Sequence, residues 1–199
     1  MAGSIAYGLT FWLLAAAAQT YAVHYDVHRF ANCPAASLYA LANPVVGRYQ
    51  YRLAGHLVDA RVERIGQSSF RGEAAVRFFF EPRDSALVLP SWSWPAMTDL
   101  ERRAFNDFIA RLRVHELGHR TIAERAVQNR SGSITVLAKS QVAGARALHA
   151  MLSTQLHELS TELLRKEQLY DRLTDHGMRQ EDAALYGLPA GRDVVFSCP

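Results

Sequence analysis

Apolar and polar positions alternate with a period of two through the first half of the chain. Tyr21, Val23, Tyr25 and Val27 interleave with Ala22, His24, Asp26 and His28, which predicts a strand with one buried and one wet face. On such a strand His24 and His28 lie roughly 13 Å apart, too far to share an ion. Similar runs follow at Tyr49, Tyr51 and Leu53, at Val58, Ala60 and Val62, and at Val76, Phe78 and Phe80, with Gly47, Gly55, Gly66 and Gly72 between them. Pro82-Arg83-Asp84-Ser85 reads as a turn that joins the Phe-rich strand to Ala86–Leu89 in a hairpin. Pro90 and Pro95 then end regular pairing. The expectation is a small antiparallel sheet.

From Thr98 the period becomes helical. Thr98-Asp99-Leu100-Glu101 has the form of a capping box, in which the Thr and Glu side chains satisfy the free amides of a helix start. Phe105, Phe108, Leu112, His115, His119, Ile122 and Ala126 then fall on one face at steps of three or four. A second helical stretch carries Leu148, Leu152, Leu156, Leu159, Leu163, Tyr170 and Leu173, with Gly177 placed as its C-terminal cap. The pattern therefore predicts an α+β protein: a small antiparallel sheet followed by a long antiparallel helical hairpin.

Composition narrows the classes. The 199 residues are 49% hydrophobic and carry a net charge of only +3 without a basic, aromatic-interleaved run, which argues for one globular domain and against nucleic acid as a partner. Ile5 to Ala18 is apolar or small and ends in Ala16-Ala17-Ala18, so residues 1–18 read as a signal peptide without the usual basic start. Residues 19–199 are then a single secreted or periplasmic domain of the cell envelope, with no stable membrane span after signal removal. The two cysteines, Cys33 and Cys198, could pair in an oxidising compartment or remain free thiols.

The sharpest chemistry is His115-Glu116-Leu117-Gly118-His119. Side chains four apart share one helical face, so both imidazoles can reach one ion while Glu116 projects beside them. Zinc suits two nitrogen ligands and an open water position. It lowers the pKa of that water to about 7, and a neighbouring carboxylate can take the proton as the water attacks a carbonyl. Glu116 is the expected base.

A third protein ligand is expected among His149, His157, Asp171, Asp175 and His176. In an antiparallel pair of helices, residues equidistant from the turn share a height. A turn at Gly132 would bring His149 level with His115 and carry His176 roughly 40 Å away, whereas a turn near Gly144 returns His176 to His119. The second arrangement is preferred, with Gly132 as a glycine inside a helix.

Leu89-Pro90-Ser91-Trp92, the H-E-L-G-H set with Ile122-Ala123, and Tyr170-Asp171-Arg172-Leu173-Thr174-Asp175-His176-Gly177 together resemble the bacterial family of predicted secreted zinc-dependent proteases, a domain of unknown function. The last segment meets every fixed position of the family's Y-D-x-x-T-x-H-G pattern. The resemblance implies a zincin-like site with Zn²⁺ as cofactor, a peptide or protein substrate, and His115, His119 and His176 as metal ligands. It also suggests Tyr170 as an oxyanion donor or a packed aromatic, and Asp171 as a second-layer carboxylate that orients a histidine or as an ordinary helix-end acid. The competing expectation is a non-catalytic protein of the envelope, stapled by zinc or interacting through its leucine stripe.

Overall fold

The computed structural model describes residues 21–43, 45–188 and 190–199; the expected signal peptide lies outside them. Among the described residues, six strands and three α-helices follow in the order β1 (Ala22–Arg29), α1 (Cys33–Ala42), β2 (Arg48–Gln50), β3 (Leu53–Arg64), β4 (Phe70–Phe80), β5 (Ala86–Ser93), α2 (Asp99–Arg130), β6 (Gly132–Ala138) and α3 (Gln141–Thr174). A 3₁₀ turn at Pro82–Asp84 precedes β5, and a longer 3₁₀ segment, Gln180–Tyr186, follows α3. The protein is α+β. Among the described residues, no helix is long and apolar enough to cross a membrane.

The strands form two sheets, where a single antiparallel one was expected. One has the order β1-β5-β2, with β1 parallel and β2 antiparallel to β5; the other is antiparallel, β3-β4-β6. The predicted hairpin of β4 with β5 is not formed, because the turn at Pro82–Asp84 passes the chain from one sheet to the other. Nor does Pro90 end its strand: β5 continues to Ser93. β2 pairs only with Ala86 to Val88, so at Pro90 the strand has β1 as its single neighbour and no second ladder is lost.

Helix α2 starts where the capping box predicts. Thr98 Oγ1 accepts the Glu101 amide at 3.2 Å, and Glu101 Oε2 accepts the Thr98 amide at 2.7 Å. At 32 residues it is roughly 48 Å long and serves two cores. Its first half packs Phe105, Phe108 and Leu112 with Leu87, Leu89, Trp92 and Phe196. Its second half packs Ala123, Ala126 and Val127 with Val76, Phe78, Phe80, Leu159 and Leu163. His115, Glu116 and His119 lie at the seam between the two.

The link between the long helices differs from the expected hairpin. Gly132 opens strand β6 rather than sitting inside a helix, and Gly144 lies in the first turn of α3, whose N-cap is Ser140. The first half of α3 returns over the β3-β4-β6 sheet, with Leu148 buried in the same core as β4. Only then does α3 run beside α2, where Arg130 meets Glu158. About 15 residues on from each of these, back along α2 and forward along α3, lie His115 and Leu173. The excursion of β6 thus brings the end of α3 to the height that a turn near Gly144 would have given.

A closing segment seals the α2 side. Arg111 donates to the carbonyls of Asp193 (2.8 Å) and Val195 (3.0 Å), and Val194 N donates to Gly177 O (2.8 Å). Cys198 is disulfide-bonded to Cys33 with a Cα–Cα distance of 5.8 Å. Phe196, only 3% exposed, packs its ring against Trp92, Phe105 and Phe108. Phe196→Ala is expected to cost about 3–5 kcal/mol of unfolding free energy, read from urea denaturation, because it opens a cavity in an aromatic cluster.

Candidate metal centre

His115 and His119 project from one face of α2 with ring centroids 5.1 Å apart. Asp171, from the last turn of α3, meets both: its Oδ1 lies 3.4 Å from His115 Nε2 and 3.0 Å from His119 Nε2. One donor atom from each of the three lies within 4.8 Å of the others. Donors on a tetrahedral zinc with bonds of about 2.0–2.1 Å stand roughly 3.3 Å apart, so the three fit a shared ion with little movement. The chemistry fits as well. Two imidazole nitrogens and a carboxylate converge, and such a set needs protons or a cation between its lone pairs.

The electrostatics record this convergence. Burial pushes the Asp171 carboxyl upward, but hydrogen bonds and charge from His115 and His119 outweigh it and hold the group well below the usual carboxylate range. For His119 burial acts downward, and the bond and charge of Asp171 overcome it, so that its pKa is raised.

Glu116 is buried beside the histidines, 4% exposed, and lines the same cleft. Burial raises its pKa, against the opposing pull of His115, His119 and the Tyr49 backbone amide. The cleft, of about 210 Å³, is walled by the approach to β2 (Val45, Gly47, Arg48, Tyr49) on one side and by Leu164, Glu167, Gln168 and Asp171 of α3 on the other. His176 lines it too. It is 40% exposed at the side chain, and its Nδ1 is 4.0 Å from Asp171 Oδ1. Of the residues expected to act at the site, His115, Glu116, His119, Asp171 and His176 are brought together; His149 and His157 do not line the cleft.

Tyr170 is fully buried rather than part of the cleft wall. Its ring stacks on His115 at 4.9 Å, its hydroxyl donates to the His115 carbonyl at 3.3 Å, and it receives a bond from Gln180 Nε2 at 2.8 Å. Burial pushes its phenol up to about 12. The remaining members of the Tyr170–Gly177 segment build the same junction. Thr174 Oγ1 donates to the Tyr170 carbonyl and accepts the Gly177 amide, while Asp175, His176 and Gly177 all take positive φ to turn the chain under α2. Gly177, at φ +90, is held where a Cβ would stand 3.1 Å from the His115 ring.

Two participants escaped sequence reasoning. Glu167 lies one turn before Asp171, facing the cleft, and accepts the Tyr51 hydroxyl at 2.6 Å. Its i, i+4 relation to Asp171 was a usable signal. Gln180, buried and 2.9 Å from His115 Nδ1 through its Oε1, stands in a polar run with no periodicity to mark it.

Residues 84–177 match a family described as "Bacterial protein of unknown function (DUF922)". The chain is therefore similar, from β5 to the end of α3, to a bacterial family without an assigned activity, and the matched stretch contains the whole His115–His119–Asp171 cluster. No curated protein and no solved structure matches the chain.

The helix-to-helix contact can be tested at Gly118, where a Cβ would stand 2.2 Å from the Tyr170 hydroxyl oxygen and 2.6 Å from its Cζ. Alanine gains about 1 kcal/mol of helix propensity. The clash with a buried ring outweighs that gain, so Gly118→Ala is expected to lose about 1–3 kcal/mol net in thermal or urea unfolding. Gly132→Ala, which meets nothing within 4 Å, should stay within about 0.5 kcal/mol.

Proposed function

We propose that this chain is a zinc-dependent hydrolase of the peptidase type, acting outside the cytoplasm. The observation that carries the reading is a buried glutamate, Glu116, lining one cleft with three converging metal donors, His115, His119 and Asp171. Zinc, when bound, supplies Lewis acidity and a water of lowered pKa. Glu116 takes and returns the proton, and its raised pKa suits a base that must also act as an acid. His176 stands at the open side of the cleft, where its imidazole can join as a ligand or donate to the oxygen of an attacked carbonyl. Tyr170 supports His115 from behind.

A peptide substrate is favoured by β2. It is an edge strand of its sheet, Arg48 and Tyr49 line the cleft, and an extended chain can add to such an edge by main-chain bonds. The Cys33–Cys198 disulfide supports an oxidising compartment, in keeping with the expected signal peptide. The second reading, a zinc staple, draws on the same donors bridging α2 and α3, but it gives no role to a buried glutamate that lines the cleft.

Glu116→Gln separates the two. The expected outcome is zinc content equal to wild type by metal analysis, with turnover of a fluorogenic peptide pool lower by at least about 100-fold. Equal turnover by both forms, or a wild-type protein that does not retain zinc, would overturn the proposal.

A further inference from the structure

Behind the metal donors, three hydrogen bonds join four groups into a circuit that the His115 residue itself completes: the His115 carbonyl, the Tyr170 hydroxyl, the Gln180 side-chain amide and His115 Nδ1. The direction of every bond in it follows from one member. A carbonyl can only accept, so the Tyr170 hydroxyl proton points to His115 O. That hydroxyl can then only accept from Gln180, which turns the Gln180 NH₂ toward Tyr170 and its Oε1 toward the imidazole. Oε1 can only accept in turn, so the hydrogen of the 2.9 Å contact belongs to Nδ1.

We propose that Gln180 is the positioning residue of the metal centre: it holds His115 protonated at Nδ1 and so keeps Nε2 as the nitrogen that faces Asp171 and a bound cation. This rests on the zinc reading for its purpose but not for its geometry. Gln180 is 0% exposed, and the circuit runs through both the stacked Tyr170 ring and the His115 backbone, so the imidazole is fixed in tilt as well as in protonation. A metal-bound imidazole is commonly held by such a bond from its other nitrogen. Position 180 also lies outside the stretch matched by the bacterial family, which ends at 177.

The test reads the ring nitrogens directly. In ¹⁵N-labelled protein, long-range ¹H–¹⁵N spectra should show His115 Nδ1 as a protonated, pyrrole-like nitrogen in the metal-free and zinc-loaded forms alike. Gln180→Glu, which keeps an acceptor at the same place, should preserve that signature and the zinc affinity. Gln180→Leu should lose it and bind zinc about 10–100-fold more weakly. An unprotonated Nδ1 in the wild type, or a folded Gln180→Leu protein with unchanged zinc affinity, would overturn the proposal. Absence of peptide hydrolysis would count only against the hydrolase reading, since neither measurement involves turnover.

Discussion

The candidate metal centre depends on how closely the end of α3 can lie on the middle of α2. At Gly118 the Tyr170 ring occupies the space that any side chain would fill, and from that contact the other positions follow. Asp171, the next residue, reaches both histidines; Thr174 turns the chain; Gly177 passes under the His115 ring; and Gln180 arrives at the far nitrogen. The glycine of the H-E-L-G-H set is therefore a packing requirement rather than a spacer. The segment from Tyr170 to Gly177 is the other half of the same joint, which gives a physical reason for the two to occur in one sequence.

Much of the site was legible because it is written in local periodicity. The capping box at Thr98 and the stripe through Phe105, Leu112, His115 and His119 fix the start and the inner face of α2 from short-range rules alone. The tertiary steps were less accessible. His176 lines the same cleft as His119, but the single turn expected near Gly144 is replaced by two breaks, at Ser131 and at Lys139-Ser140, with β6 between them, a strand that alternation over only seven residues after a long helix did not reveal. The β4–β5 hairpin failed for a related reason, since a Pro-rich turn marks a change of direction without saying which sheet the next strand joins. Helix α1 did carry a local signal that went unread, an Asn32 cap with Pro34 in the first turn, whereas the parallel pairing of β1 with β5 rests on contacts distant in sequence.

The closing segment carries consequences for the centre that its distance in sequence conceals. Cys198 is tied to Cys33, Phe196 enters the first core, Arg111 grips two carbonyls, and Val194 holds the Gly177 carbonyl. Each of these anchors limits the freedom of the 3₁₀ segment that begins at Gln180. A buried hydrogen-bond circuit gains most when its members are already fixed, because little conformational entropy remains to be lost. The disulfide and Phe196 thereby contribute to the orientation of the His115 imidazole through Gln180, which lies more than a dozen residues before them along the chain.

The two acids at the centre have been driven apart. Glu116 is buried and Asp171 half-buried, and burial alone would raise both. Asp171, beside the Nε2 atoms of both histidines, is held low by them, whereas Glu116 feels those imidazoles only through space and stays raised. A carboxylate that remains ionised suits a ligand, and one whose pKa is raised suits a base that must also hold a proton. The difference arises from position on the helices. Asp171 approaches the Nε2 atoms from the facing helix, at 3.4 Å from His115 and 3.0 Å from His119, while Glu116, one residue after His115 on the same helix, bonds to the Tyr49 backbone. The division of labour proposed for the cleft thus follows from which helix each carboxylate stands on.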